Sequence, residues 1–227
     1  MNKIYINITN RCQYDCPFCC MYSNPLNDIY MDFSTFQKIL SDNRNEKSIV
    51  QLEGGEPLLH PLLFLFLEYC TTLEYVESVV IDTNGKILKN KIDKIIEIAE
   101  RNKKHITIKP SINSYILKKR PDAIKEYDNI ASACEFLEYF DLEFNIRFIN
   151  EKDDLILTES ISSLVEKKYF KYNKYQFNRY GRAEDNNELP DLKITNVYKN
   201  WKVYSCDGVC FNRDLIKRSY YEKSLSK

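Results

Sequence analysis

The stretch that decides the fold lies near the amino terminus, where residues 4–20 read IYINITNRCQYDCPFCC. Residues 4–9 alternate apolar with polar side chains and predict a short β-strand. Three cysteines then follow within eight residues of chain, at Cys12, Cys16 and Cys19. This spacing would put them on one face of a helix, but the ring and the missing N–H of Pro17 argue against a helix here. Because thiolates are the usual ligands of iron–sulfur clusters, a loop with three of them indicates a metal site that lacks a fourth ligand.

A second motif follows the next predicted strand, where residues 49–57 read IVQLEGGEP. The two glycines let the backbone approach a ligand without a Cβ in the way. The carboxylate of Glu56 can pair with an ammonium group. Taken alone, Gly-Gly before Glu-Pro is also the composition of an ordinary turn. In a chain that carries the cysteine loop as well, we interpret the segment as part of a ligand site.

The two motifs together resemble those of the radical S-adenosylmethionine (SAM) superfamily: a C-x3-C-x2-C loop with an aromatic residue before its last cysteine, and a Gly-Gly-Glu-Pro segment. The resemblance implies a [4Fe-4S] cluster whose open iron binds the amino and carboxylate groups of SAM. In that family the reduced cluster breaks SAM to a 5′-deoxyadenosyl radical, which takes a hydrogen atom from the substrate. The cluster ligands it implies are Cys12, Cys16 and Cys19, and the SAM contacts it implies include Phe18, Gly54, Gly55 and Glu56.

The rest of the chain alternates predicted strands with predicted helices. The strand candidates are residues 4–9, 49–53, 76–82, 105–109, 142–149 and 170–177, which are rich in β-branched and aromatic side chains. The first helix is predicted at about 32–41, with Ser34 and Gln37 as a capping box. Three further helices are predicted from apolar stripes, which comprise Leu63, Phe66, Leu67 and Cys70, then Leu88, Ile92, Ile95, Ile96 and Ala99, then Tyr127, Ile130, Cys134 and Leu137.

Repeated β-α units predict an α/β fold with a parallel sheet and helices outside it. Six units are too few for the eight of a closed barrel, so we predict a partial (β/α)6 TIM-like barrel with its site at the carboxyl ends of the strands. The radical SAM fold is similar to this architecture.

Polar residues at the ends of the later strands are candidates for that site. The resemblance implies that Ser111, after the fourth strand, contacts the SAM ribose or carboxylate, and Asn113 is the next candidate. Thr83, in Thr83-Asn84-Gly85, follows the third strand, where the same residues also predict an ordinary turn. Arg147 is a candidate partner for the SAM carboxylate or a substrate acid, although arginine in a strand is as often on a solvent face.

The end of the chain departs from the barrel pattern, so we divide it into a core at residues 1–183 and a linker with a short tail at 184–227. Residues 178–183 read NRYGRA and resemble the Gly-Arg-Ala segment of peptide-modifying members of the superfamily, although a strand-to-loop turn explains them as well. Asp-Gly between Cys206 and Cys210 predicts a hairpin. We interpret this tail as a lid or core-capping hairpin. The alternative is an auxiliary metal site that would borrow further cysteines.

Composition limits the partners of the chain. The 227 residues contain 33 Lys and Arg and 33 Asp and Glu, so no net charge favours nucleic acid or an anionic membrane. The apolar run at residues 62–67 is far shorter than the roughly 18 residues that span a bilayer. The amino-terminal strand does not resemble a signal peptide, and we therefore expect a cytoplasmic protein. Eight cysteines in such a protein indicate metal binding or catalysis more than disulfides.

The resemblance is specific for cofactor chemistry and says little about the substrate. On the Gly-Arg-Ala segment and the cysteine-bearing tail we expect a peptide substrate, with a glycyl-radical activating enzyme or a small-molecule enzyme as alternatives. An external electron donor such as flavodoxin or ferredoxin is implied. A different class also remains open, in which the cysteine loop with Cys20 holds a structural zinc ion or a non-catalytic iron–sulfur cluster.

Overall fold

The computed structural model describes residues 2–148, 151–177, 179, 181–187, 189 and 200–211. Its strands are β1 (Asn2–Thr9), β2 (Ser48–Gly54), β3 (Val76–Thr83), β4 (His105–Ile112), β5 (Phe140–Phe148), β6 (Lys171–Gln176), β7 (Asn200–Tyr204) and β8 (Cys210–Phe211). Its α-helices are α1 (Phe33–Asp42), α2 (Leu63–Thr72), α3 (Ile92–Asn102), α4 (Ser114–Lys119), α5 (Ala123–Ala133) and α6 (Glu151–Ser162).

The eight strands form one sheet in the spatial order β6-β5-β4-β3-β2-β1-β7-β8. Strands β1 to β7 all run parallel, whereas β8 pairs antiparallel with β7. Strands β1 to β6 are adjacent in chain order, as repeated β-α units require. The predicted α/β class and the partial, TIM-like parallel barrel are therefore confirmed.

The two faces of the sheet differ in chemistry. Alternate residues such as Ile4, Ile6 and Ile8 of β1 belong to the main hydrophobic core, which also contains the buried faces of α1, α2, α3 and α5. On the other strands, the alternate side chains that point to the opposite face of the sheet are largely polar. On this second face Arg147 of β5 comes to 4.0 Å from Asp82 of β3, across the intervening β4. Side chains that meet above a middle strand indicate that the polar face is the inner face of a curved sheet.

Helix boundaries correct several details of the predicted pattern. The cap of α1 is Asp32, whose carboxylate accepts the Thr35 N–H at 2.8 Å, so the capping box predicted from Ser34 and Gln37 is wrong. The Ser34 hydroxyl instead donates to Asp32 at 2.5 Å. The third predicted helix is divided, because Leu88 lies in a separate 3-10 turn before α3. Helix α5 ends at Ala133, which leaves Cys134 as its C-cap.

The tail extends the main sheet at its β1 edge. Strand β7 pairs with β1 in the register Asn2 with Asn200 to Ile6 with Tyr204, a seventh parallel strand that the sequence patterns did not predict. The turn between β7 and β8 contains Gly208 at a φ of 81°, so the hairpin predicted there is confirmed. The division of the chain at residue 183 stays a prediction. Among the described residues, every helix is too short or too polar to cross a bilayer.

Candidate cluster and cofactor site

The cysteine loop joins β1 to α1 and is irregular, as Pro17 predicts. Its start is held by a backbone hydrogen bond from Cys12 N–H to the Asn24 carbonyl at 3.1 Å. A second bond closes a turn, from Cys19 N–H to the Cys16 carbonyl at 3.1 Å. Cys12 is buried and Cys16 and Cys19 are half-buried, which places all three thiols in the protein rather than in open solvent.

Hydrogen-bond donors already surround the sulfur atoms of this loop. The N–H groups of Tyr14 and Met21 donate to the Sγ atoms of Cys12 and Cys19, each at 3.4 Å. The side-chain amide of Asn84 donates to Cys12 Sγ at 3.4 Å as well. Donors of this kind stabilise negative charge on sulfur and tune iron–sulfur clusters. The loop therefore fits thiolate ligands.

The thiols of Cys12 and Cys16 hold their protons more tightly in the metal-free loop than an ordinary cysteine does. Burial raises the pKa of Cys12 to about 12, with the nearby Glu56 and Cys19 adding to the effect. Burial and the neighbouring Cys19 and Cys12 raise the pKa of Cys16 further. Because a metal binds the thiolate, cluster assembly here must displace protons and will be favoured by rising pH.

A cluster and a zinc ion would both take thiolate ligands from this loop. A structural zinc ion binds four ligands around one point, with sulfur at about 2.3 Å, whereas a four-iron cluster takes its thiolates at separate corners. Within the part of the chain that the structure describes, no three Cys, His, Asp or Glu side chains already converge on one point. The zinc ion with Cys20 as a further ligand stays an alternative hypothesis.

Gly54 and Gly55 pack directly against the backbone that leads into the cysteine loop. A Cβ on Gly54 would lie 2.2 Å from the Thr9 carbonyl oxygen, and one on Gly55 would lie 2.1 Å from that of Arg11. The N–H groups of Gly55 and Glu56 donate to these two oxygens at 2.7 and 2.8 Å. Glycine is thus required because the backbone at residues 54–55 packs directly against the backbone at residues 9–11. Whether these glycines also contact SAM stays a prediction.

Glu56 is completely buried at the junction of three segments. Its Oε1 accepts the Leu58 N–H at 3.0 Å and the Thr83 hydroxyl at 2.6 Å, and its Oε2 accepts the Asn84 N–H at 2.7 Å. Burial raises the pKa of this carboxyl to about 7, although the hydrogen bonds oppose the shift. The carboxylate therefore ties the end of β2 to the end of β3. Its predicted pairing with the SAM ammonium group stays a prediction.

The turn after β3 connects the barrel to the cysteine loop. Thr83 lies inside β3 rather than after it, and its hydroxyl accepts the Gly85 N–H at 2.9 Å. The side-chain amide of Asn84 bridges Cys12 Sγ and the Gln13 side-chain oxygen, at 3.4 and 3.0 Å. Asn84 is a site residue that the sequence offered only within the segment Thr83-Asn84-Gly85, either as a strand-end candidate or as an ordinary turn. Its position directly after a strand end was the available signal.

The remaining candidates occupy different environments. Ser111 lies inside β4, half-buried beside Asn145 of β5, and not after the strand as predicted. Asn113 is buried and its Oδ1 accepts the Ile116 N–H at 2.9 Å, so it caps α4. Arg147 lies near Asp82 on the inner face, with its guanidinium 5.8 Å from the ring centroid of Phe177. SAM contacts by these three residues stay predictions.

Phe18 has a packing role that the sequence did not predict. Its ring centroid lies 4.2 Å from that of Phe177 and 5.6 Å from that of Tyr115. It also packs with Ala183 and Leu189 in a small hydrophobic cluster apart from the main core. The side chain thus anchors the cysteine loop to residues beyond β6, and its predicted contact with SAM stays a prediction.

Comparisons with known proteins agree with this geometry. Over 108 residues the chain is 32% identical to the uncharacterized protein MJ0907 of Methanocaldococcus jannaschii, a match of 43% of this chain and 36% of the relative. Over 99 residues it is 26% identical to the GTP 3′,8-cyclase of Chlorobaculum tepidum, a match of 43% of this chain and 30% of the relative. The chain thus matches only about a third of these relatives' length.

Solved structures of Streptococcus suis SuiB share the fold. The structure of SuiB bound to S-adenosylmethionine matches with a TM-score of 0.56 and 17% identity, over 98% of this chain and 64% of SuiB. The structure of SuiB bound to the precursor peptide SuiA matches with a TM-score of 0.58 and 15% identity, over 92% and 58% of the two chains.

The family is shown by a match that covers more than half of the chain. Residues 6–137 fit the sequence model of the radical SAM superfamily, a span that runs from β1 to just before β5. This span contains the cysteine loop, the Gly-Gly-Glu-Pro segment and the turn after β3. The chain therefore belongs to the radical SAM superfamily.

Proposed function

We propose that this protein is a radical SAM enzyme that binds a [4Fe-4S] cluster on Cys12, Cys16 and Cys19 and cleaves SAM reductively. The observation that carries the proposal is the cysteine loop itself, in which N–H donors reach the Sγ atoms of Cys12 and Cys19 at 3.4 Å. When bound, a reduced cluster of this type would supply the electron that breaks a carbon–sulfur bond of SAM. We propose flavodoxin or ferredoxin as the source of that electron.

The residues of the chain would hold and shield this chemistry. Backbone bonds from Gly55 and Glu56 fix the start of the cysteine loop at 2.7 and 2.8 Å, and Asn84 holds Cys12 Sγ. The polar inner face, which includes Asp82 and Arg147, would receive the substrate. A closed site matters because a primary carbon radical takes hydrogen from whichever neighbour it meets first.

The first test uses protein reconstituted anaerobically with iron and sulfide, then treated with SAM and dithionite. We expect 5′-deoxyadenosine by mass spectrometry from the wild type. Cys16→Ala should abolish both its formation and the bound cluster. Cys20→Ala is the matched control, because the residue adjoins a ligand but is not one in our proposal, and it should retain iron and product. A full, reducible cluster that yields no product, and whose EPR signal SAM does not change, would contradict the proposal.

For the substrate we propose a peptide. The support is the fold shared with SuiB, one of whose structures contains a precursor peptide. Peptides encoded beside this gene are the natural candidates, and turnover should change the mass of one of them only in the presence of SAM and reductant. A peptide that is bound but never changed in mass, under conditions that consume SAM, would argue against a peptide substrate.

A second candidate is a small-molecule substrate, for which the resemblance to a GTP 3′,8-cyclase is the specific observation. Incubation of the same reconstituted protein with GTP, SAM and dithionite would test it by chromatography of the nucleotide. We expect GTP to be recovered unchanged if the substrate is a peptide. Conversion of GTP that Cys16→Ala abolishes would favour the second candidate.

A further inference from the structure

The segment after β6 contacts residues of the cysteine loop other than those that Gly55 and Asn84 contact. A 3-10 turn at Gly181–Asp185 begins with the Gly-Arg-Ala residues. The backbone N–H of Arg182 donates to the carbonyl of the ligand residue Cys19 at 2.8 Å. This bond joins two segments more than 160 residues apart in the sequence.

The guanidinium of Arg182 adds three contacts to the same loop. One terminal nitrogen, Nη1, donates to the Cys16 carbonyl at 2.8 Å and also contacts the Asp15 carboxylate. The other, Nη2, donates to the Ser23 carbonyl at 2.8 Å. A planar fork with several donors can span the loop in this way, whereas a lysine ammonium group would make a single point contact. Arg182 therefore binds the loop at two places, near Cys16 and at Ser23.

The neighbours of Arg182 are shaped to bring it this close. Gly181 has a φ of 64°, and a Cβ there would lie 2.4 Å from Cys20 Cα. Ala183 is buried and packs with Phe18 and Leu189. A larger residue at position 181 would therefore push the segment away from the loop without changing the guanidinium. Substitution of Gly181 and substitution of Arg182 therefore disturb the contact between this segment and the cysteine loop by two independent routes.

From these contacts we propose that Arg182 is a positioning residue that holds the cluster ligands in place before and after the cluster binds. The inference rests on the proposed cluster on Cys12, Cys16 and Cys19. Through the loop carbonyls, Arg182 fixes two of the three ligand residues, Cys16 and Cys19. Its charge, held beside the loop, also raises the reduction potential, because a cation stabilises the more negative reduced cluster.

The first test measures how well the cysteine loop is ordered in the metal-free protein, by hydrogen exchange of the backbone amides of residues 12–24. Arg182→Ala removes three side-chain contacts, and we expect exchange in the loop to rise by roughly tenfold to a hundredfold, with little change in β2 to β4. Gly181→Ala should give the same pattern. Arg179→Ala is the matched control, because Arg179 lies on the same segment but donates to Asn187, at 3.0 Å. Equal loop exchange in wild type, Arg182→Ala and Gly181→Ala would overturn the proposal.

The second measurement uses reconstituted protein and follows the reduction potential of the cluster by EPR during an anaerobic titration. Arg182→Ala should lower the potential, and Arg182→Lys should restore much of it while the loop still exchanges rapidly. An unchanged reduction potential in Arg182→Ala, with full iron content, would overturn the proposal that the charge of Arg182 raises the potential of the cluster. If the wild type itself binds no cluster, the proposed function fails, whereas the hydrogen-exchange result still decides whether Arg182 orders the loop.

Discussion

The cysteine loop is supported on two sides by segments of different character. On what we call the inner side, Gly55 and Asn84 directly follow strands β2 and β3. Gly55 acts through a backbone bond, the buried carboxylate of Glu56 accepts the Asn84 N–H, and the side-chain amide of Asn84 donates to the loop. On the outer side, Arg182 acts through a partly exposed guanidinium from the segment after β6. The loop is thus joined to the sheet through backbone that follows β2 and β3, and it is held elsewhere by the side chain of Arg182. Changes to the backbone contact of Gly55 or to the buried Glu56 should therefore cost folding stability, whereas changes to the side chains of Asn84 and Arg182 should act on the loop.

The largest effect is expected from Gly55→Ala on the inner side. Its new Cβ would lie 2.1 Å from the Arg11 carbonyl oxygen and 2.9 Å from the Asn10 carbonyl carbon, so backbone must move. We expect a loss of about 3 kcal/mol or more in the free energy of unfolding. Iron binding should be lost as well. Urea unfolding and iron analysis measure both.

Gly208→Ala is the control for this prediction. Gly208 lies far from the cysteine loop in the sequence, has a φ of 81°, and a Cβ there would lie 2.7 Å from Thr35 Cγ2. This variant should lose about 1–2 kcal/mol from the strained backbone and keep its iron. Full iron content in Gly55→Ala would show that the inner support is less rigid than we infer.

The next prediction concerns Glu56, whose titration makes the free energy of unfolding depend on pH. Its folded-state pKa of about 7 lies above its ordinary value of 4.5, so the folded state binds the proton more tightly. The stability from this group is therefore fully present below pH 4.5 and is lost as pH rises to about 7. We expect the difference in unfolding free energy between wild type and Glu56→Gln to fall by up to ~3 kcal/mol over that range and then to level off.

Urea unfolding of the metal-free protein at steps between pH 4 and 8 measures this difference, because Gln does not titrate. Glu53→Gln, three residues earlier and inside β2, is the control. A Glu56 difference that rises with pH, or that does not change, would mean that the carboxylate is ionised in the folded state despite its burial.

The smallest effect is expected from Asn84→Ala, which removes one donor to Cys12 Sγ and leaves the fold intact. Groups that orient a metal ligand typically change affinity by about tenfold when removed. We expect the cluster to be lost to a chelator roughly tenfold faster than in the wild type, as followed by visible absorbance. Asn102→Ala on α3, which removes contacts to Glu68 and Thr71, should lose its cluster at the wild-type rate. Equal rates in the two variants would assign Asn84 to the turn alone.

Much of the architecture was readable from the sequence, and the reasons are local. Strands β1 to β5 carry alternating or continuous apolar residues, which is the signal of a strand with one or both faces buried. Strand β6, which reads KYNKYQ and is largely exposed, was predicted from its aromatic residues and those that flank it. Strand β7 was missed because its five residues, 200–204, are too few for a clear apolar pattern, and its partners β1 and β8 lie on either side of it in the sheet. Helix α4 was missed because six residues are too few for a visible period.

The sequence predicted the site only where its residues are close neighbours along the chain. The spacing of Cys12, Cys16 and Cys19 and the Gly-Gly-Glu-Pro segment are such cases. The contact of Asn84 with Cys12 joins residues 72 positions apart, and that of Arg182 with Cys16 joins residues 166 apart. No local pattern predicts such pairs, because they form only when the sheet curves and brings the segment after β6 to the loop after β1.

The pairing of β7 with β1 has a consequence for how the protein is made. The first strand and the thiols that follow it are synthesised early, whereas Arg182 and the strand that covers the β1 edge come more than 160 residues later. At about 5–20 residues per second, the cysteine loop waits roughly 10 to 30 s on the ribosome without its outer support. A cluster that arrives only after Arg182 and β7 have been made would therefore meet a loop with both of its supports in place.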